Sequence, residues 1–318
     1  KNGTKKKEQN KKSSPNENFA REVMELFTLG RDNGYTEKDI KEAARAFTGW
    51  GFKKNEGFVF RKKFHDYNTK TILGKTDNFT GEGVIKLLLE NKQTAIYITQ
   101  KIYKFLVNEE LDKRKVHELA EVFYTSNYNI PTLLKAIFKS NWFYEQKNIG
   151  VKIKSPIDLI TGLSRQFNIT YTKPQALIFL QKKLNQTIFY PPNVAGWPGG
   201  KYWIDNSTLM LRIKLASIIL NDGIISDDDG YERDLDTMML MQKKKKNKKN
   251  TLSRRIRVTS DWNMFLSSLE TKERELLISF LIQPHLSKTA QEIVKNSNNT
   301  SIKSFVVKLL SLPEYQLC

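Results

Sequence analysis

Apolar positions along most of this chain recur every three to four residues, the spacing that gives one side of a helix a continuous apolar stripe. Ser14-Pro15-Asn16-Glu17 reads as a capping box with proline at the first helical position, followed by Phe19, Val23, Leu26 and Phe27 on one face and a stop at Gly30. Thr36 and Asp39 open a second helix whose stripe is Ile40, Ala43, Ala44 and Phe47, closed by Gly49. The short connection predicts antiparallel packing of the two. From Trp50 to Phe64 the period changes: Gly51-Phe52, then Gly57-Phe58-Val59-Phe60, predict a β-hairpin near 51–64 that turns at Asn55-Glu56-Gly57. His65 and Asp66 come at its end, followed by Lys70 and a turn at Gly74.

Helical spacing resumes over 81–90, 93–107, 113–125 and 131–139, after the cap Ser155-Pro156-Ile157-Asp158, from Pro174 to Leu184, and again near 271–283, 287–296 and 300–311. These elements predict an all-α fold of antiparallel and orthogonally packed helices with one small hairpin. The organisation they suggest is a basic disordered leader over 1–14, a main helical domain over 15–220, a mobile acidic and Lys-rich insertion over 221–258, and C-terminal helices over 259–318 packing on the main domain.

One stretch resists regular structure. In Tyr190–Arg212, three prolines (Pro191, Pro192, Pro198) lack a backbone N–H, and Gly196, Gly199 and Gly200 permit unusual backbone angles. A helix capped by Asp205 or Asn206 follows, with Leu209, Ile213 and Ala216 as its stripe. A stiff loop carrying Trp197, Tyr202 and Trp203 onto a helix N-terminus forms a candidate ligand rim, with Asn193, Asn206, Thr208 and Arg212 as polar groups and an anion favoured at the helix end. Trp50, Trp197 and Trp203 are candidate stacking platforms for sugar rings, and serve equally well as large core residues.

Composition alters the picture less than the net charge of +19 suggests, because residues 1–14 and 242–258 contribute +5 and +9 of it. Solvated linkers are the favoured reading of these Lys tracts, and nucleic-acid binding is the weaker alternative. Cys318 is the only cysteine, which excludes an internal disulfide and a Cys-based zinc site. No run approaches the length of a membrane helix, and no signal peptide opens the chain.

Among the few histidines, His65 beside Asp66 is the acid/base candidate, weighed against a structural hydrogen-bonding role, since neighbours on a strand point to opposite faces. Arg21, Glu22, Glu25, Glu42 and Arg45 read as a paired charge network joining the first two helices and positioning the hairpin. They are too few for a metal assignment, although a carboxylate-bound divalent cation stays open, and no organic cofactor is implied. Lys70 joins the ligand-binding candidates. GWPGGK at 196–201 falls short of a phosphate loop, and 227–230 falls short of a calcium loop.

The segments PNENFAREVMELFTLG, YTEKDIKEAARAFTGW, FHDYNTKTILG, FYPPNVAGWPGGKYWIDNSTL and LPEYQLC, from Pro15 to the C-terminus, resemble the bacterial Domain of Unknown Function 1800 family. That resemblance implies a mostly helical protein, exported or held in the cell envelope, often encoded beside an exported sulfatase-like partner. Members usually carry a further helical region before the PNEN motif, so the expected match is to the family's C-terminal portion. The functional expectation is binding of a glycan or anionic ligand through 190–212, with a hydrolase using His65 as the alternative and nucleic-acid binding as the weaker one.

Overall fold

The computed structural model describes residues 15–222, 224–225, 256–269 and 273–318. The 1–14 leader and nearly all of the 221–258 excursion lie outside the described residues. The chain divides into two compact units, Lys1–Phe143 and Tyr144–Cys318, a boundary that falls inside the 15–220 segment which the apolar pattern leaves undivided.

The first unit is mainly helical. Its helices are α1 (Glu17–Glu25), α2 (Glu37–Ala46), α3 (Gly81–Glu90), α4 (Lys92–Leu106), α5 (Lys113–Thr125) and α6 (Ile130–Phe138). Strands β1 (Trp50–Lys53) and β2 (Gly57–Phe60) pair antiparallel with Trp50 opposite Phe60, and a 3-10 turn over Lys62–Phe64 leads from them to His65. A second hairpin, β3 (Lys70–Ile72) with β4 (Lys75–Asp77), was not expected. It forms because Leu73 and Gly74 both take left-handed backbone angles, φ 49° and 76°, as a two-residue hairpin turn requires.

Each helix start carries its own signal. Asn16 caps α1 by accepting the Phe19 N–H, so the cap lies two residues beyond the expected Ser14. Thr36 and Asp39 form a reciprocal capping box on α2. The buried face of α1 is also rotated from its expected stripe: Ala20 and Met24 are fully enclosed, while Phe27 is 55% exposed. Small residues let α1 and α2 approach closely, and Ala20, Met24, Ile40, Ala43, Ile72, Val84 and Leu88 share one core. A second core within the unit joins α4, α5 and α6 through Tyr103, Leu119, Phe123, Leu133 and Ile137. Trp50 packs edge-on against Phe47 and Phe58, and a Cβ on Gly81 would lie 2.4 Å from its ring, so only glycine lets α3 begin there.

The second unit contains α7 (Pro156–Gln166), α8 (Gln175–Lys183), α9 (Asn206–Ser217), α10 (Trp262–Ser267), α11 (Arg274–Leu281), α12 (Lys288–Lys295) and α13 (Ile302–Leu310). Short strands β5 (Thr170–Tyr171), β6 (Ile224–Ile225) and β7 (Ile256–Thr259) form an antiparallel sheet in the order β5-β7-β6. One core gathers Leu159, Leu163, Phe167, Leu180, Leu215, Phe265, Leu277, Phe305 and Leu310. At about 1.5–3 kcal/mol for each fully buried large apolar side chain, this cluster dominates the unit's stability. The fold is mainly α-helical with small two- and three-stranded sheets, and among the described residues no helix is long and apolar enough to cross a membrane.

Candidate functional site

In the first unit, polar residues at i, i+3 and i+6 of α2 form a ladder along the segment that follows the first hairpin. Asp39 Oδ1 accepts the Leu73 N–H at 2.7 Å, and Glu42 Oε2 accepts the Thr71 N–H at 3.2 Å. One turn on, Arg45 Nη1 donates to both Glu42 oxygens at 3.0 and 2.8 Å, while Nε donates to Asp66 Oδ2 at 2.8 Å. Asp66 Oδ1 also accepts the Asn68 N–H at 2.9 Å. The Arg45 guanidinium, assisted by that N–H, holds the Asp66 carboxyl down to about 2. The Thr71 N–H of β3 and the Leu73 N–H of the turn that follows are thus both satisfied by side-chain carboxylates of α2.

Lys70, 1% exposed, completes this arrangement from inside. Its ammonium donates to the carbonyls of Asp66 at 2.6 Å and Asn68 at 2.8 Å, and burial lowers its pKa. These two bonds close the loop between Asp66 and Lys70. Arg21 belongs to a separate group. It pairs with Glu37 at 2.6 Å and with Glu25 at 3.4 Å, while Glu22 accepts from Asn18. The five residues expected to form one network are therefore split, Arg21 tying α1 to the start of α2 and Arg45 tying the end of α2 to Asp66.

His65 is 8% exposed. Its Nδ1 lies 2.9 Å from the Thr48 carbonyl, which can only accept, so Nδ1 carries a proton. Nε2 is buried without a partner among the described residues, and the ring is held edge-on by Phe60 and Tyr67. Asp66 faces Arg45 instead of the imidazole, and its own N–H is tied to Thr48 Oγ1 at 2.8 Å. Two sequence neighbours thus anchor the chain in different directions. The imidazole and the Asp66 carboxylate are therefore not hydrogen-bonded to each other.

In the second unit, the loop between α8 and α9 is closed at its ends by Asn185 Nδ2, which donates to Asp205 Oδ2 at 3.2 Å. Gln181 Oε1 accepts the Ile188 N–H at 2.9 Å, and Asn193 Oδ1 accepts the Ala195 N–H at 2.9 Å. Gly199 has φ 79° and nothing near its missing Cβ, so its glycine serves the backbone angle alone. Asp205 is the N-cap of α9, accepting the N–H groups of Ser207 and Thr208, with Thr208 Oγ1 accepting the Asp205 N–H in return.

This loop separates the expected rim residues into three groups. Trp203, Thr208 and Arg212 are buried, at 7%, 1% and 1% exposure. Trp197 is half-buried, and Asn193 and Asn206 are exposed. Of the expected rings Tyr202 is exposed, at 78%, and it is joined by two that were not singled out, Phe189 at 95% and Tyr190 at 81%. Phe189 and Tyr190 escape sequence analysis because solvated and core aromatics look alike in a sequence; the available signal was two rings directly before Pro191-Pro192. Phe189 also has φ 64°, a left-handed angle rare for a bulky side chain.

A separate open cleft of about 440 Å³, bordered by Asn168, Thr170, Ser260, Asp261, Trp262 and Lys303, contains none of the residues singled out from the sequence. Among the described residues, no group of three or more His, Cys, Asp or Glu side chains is placed to hold a metal ion.

Comparison with known proteins gives one result. The family described as "Protein of unknown function (DUF1800)" matches residues 6–317, nearly the whole chain. The match therefore begins ahead of Pro15 and is not confined to a C-terminal portion. No curated protein and no solved structure in the comparisons matches. On the extent of the family match, the chain belongs to the DUF1800 family.

Proposed function

We propose that this chain is a glycan-binding protein of the cell envelope that holds its ligand on the exposed rings of the loop between Asn185 and Asp205. The observation that carries this reading is the exposure of Phe189, Tyr190 and Tyr202 on a loop whose ends are pinned together. Rings fixed in water provide apolar faces for the C–H faces of sugar rings, and Asn193 and Asn206 supply amides for hydroxyls. Left-handed Phe189 is a strained conformation of the kind that clusters at ligand clamps. The buried Thr208 hydroxyl holds the end of the loop, donating to the Trp203 carbonyl and accepting the Asp205 N–H.

A hydrolase built on His65 is less well supported, since its Nδ1 is committed to a backbone carbonyl and its Nε2 is enclosed. The test is retardation of the purified chain in native gels containing soluble neutral or acidic polysaccharides. Tyr190→Ala and Tyr202→Ala, each at an exposed position, should weaken binding about 5- to 30-fold apiece, the effect of losing 1–2 kcal/mol. His65→Ala should leave retardation unchanged, and an equal loss in that variant would refute the assignment to this loop. Fractionation of the producing cells checks location: envelope association is expected, and a purely cytosolic protein would remove that part of the proposal.

A further inference from the structure

Within the second unit, where α9 meets the Lys154 segment and the C-terminal turn, is a second polar cluster that the glycan reading does not use. Arg212 Nε donates to Gln316 Oε1 at 3.1 Å, and Nη2 donates to the Lys154 carbonyl. Arg212 Nη1 is buried with no partner among the described residues, and the same is true of Nε2 of Gln316. The two residues are 1% and 2% exposed, so bulk water does not satisfy these donors. The Lys154 ammonium donates to the Tyr315 carbonyl at 2.7 Å and lies 3.7 Å from that ring's centroid.

Buried Arg212 and half-buried Lys154 thus lie side by side, and neither makes an ion pair among the described residues. Cys318 and, more weakly, Asp158 act on Lys154 from a distance, Asp158 alone acts on Arg212, and one Asp158 oxygen is already committed to the Ser155 N–H. Burial pushes the Arg212 guanidinium down to about 10 and lowers the Lys154 pKa as well, so the surroundings penalise both charges. A group completing the cluster must accept hydrogen bonds from Nη1 and offset positive charge. Water meets the first requirement only.

We infer that the cluster of Arg212, Gln316 and Lys154 binds a small anion, a halide or a small carboxylate, as part of the folded structure. This site rests on different residues from the glycan surface and stands or falls separately. It predicts that thermal stability depends on the anion present, because an ion bound only by the folded state shifts the unfolding equilibrium.

Scanning fluorimetry of the whole chain at constant ionic strength, with chloride or acetate replacing a bulky sulfonate, should give a saturable rise of about 2–4 °C. A response to both assigns general anion chemistry, and a response to chloride alone assigns a halide. Gln316→Glu places a carboxylate beside Arg212 and should raise the melting temperature without added anion while abolishing the response. Arg212→Met should remove the response without that gain. In crystals soaked in bromide, an anomalous peak should lie within hydrogen-bonding distance of Arg212 Nη1. A wild-type chain indifferent to the anion, a Gln316→Glu variant that responds like wild type, or bromide density elsewhere only would overturn the inference.

Discussion

The ladder on α2 and the loop before α9 are both rich in the residue types that carry function, yet they use them in opposite ways. Along α2, Asp39, Glu42 and Arg45 are turned inward onto named partners: the N–H groups of Leu73 and Thr71 and the carboxylate of Asp66. In the loop, hydrogen bonds close the ends and hold the backbone while three aromatic rings face solvent. Clustered charge does not by itself mark a working site. Groups used up in holding a backbone leave nothing for a ligand, and groups held out by a pinned backbone remain available.

The largest effect is expected from removing the ladder's cation. Arg45→Ala leaves Glu42 and Asp66 facing each other's side of the gap without their shared donor, and chemical denaturation should show a loss of about 2–3 kcal/mol. That is at or below the low end for fully buried pairs, because the guanidinium is 25% exposed. Polysaccharide retardation of the folded fraction should be unchanged.

Acid removes the ladder's other partner. The Asp66 pKa is depressed in the folded state, from its ordinary 3.8 to about 2, so its contribution is present above the unfolded value and is lost as pH falls from about 4 towards 2. The depression corresponds to about 2 kcal/mol, and Asp66→Asn should flatten that part of the stability curve. The tyrosine substitutions in the loop come next in size, with their 5- to 30-fold weakening of binding and no change in melting temperature. Smallest is Phe189→Gly. Relief of the left-handed strain is opposed by the added freedom of glycine in the unfolded chain, so stability should change by less than about 1 kcal/mol while binding falls.

The sequence showed much of the fold because the helices carry their own punctuation. Thr36 with Asp39 and Ser155 with Asp158 form the capping boxes that their spacing predicts, and Gly57 turns the first hairpin at φ 74°. The second hairpin was hidden because β3 and β4 have three residues each, too few for an alternating pattern, leaving only Gly74 as a turn signal. The sheet β5-β7-β6 was hidden for another reason: Thr170 pairs with Thr259, and no local pattern encodes so distant a partner. The boundary at 143/144 likewise follows from which helices pack together.

At the candidate sites, residue type was legible and direction was not. Arg21 and Arg45 both stood among acids, but the acids that matter most to them, Glu37 and Asp66, were not read as their partners. Trp203 and Tyr202 are adjacent, yet one is 7% and the other 78% exposed, because consecutive residues of a 3-10 turn point to different sides.

The most direct test of the central claim is the polysaccharide affinity of the wild-type chain against the double variant Tyr190→Ala/Tyr202→Ala, with melting temperatures measured on the same samples. Retention by at least one polysaccharide that disappears in the double variant at unchanged melting temperature is the predicted result. Wild-type chain that no polysaccharide retards, or a double variant retarded as strongly as wild type, would contradict it.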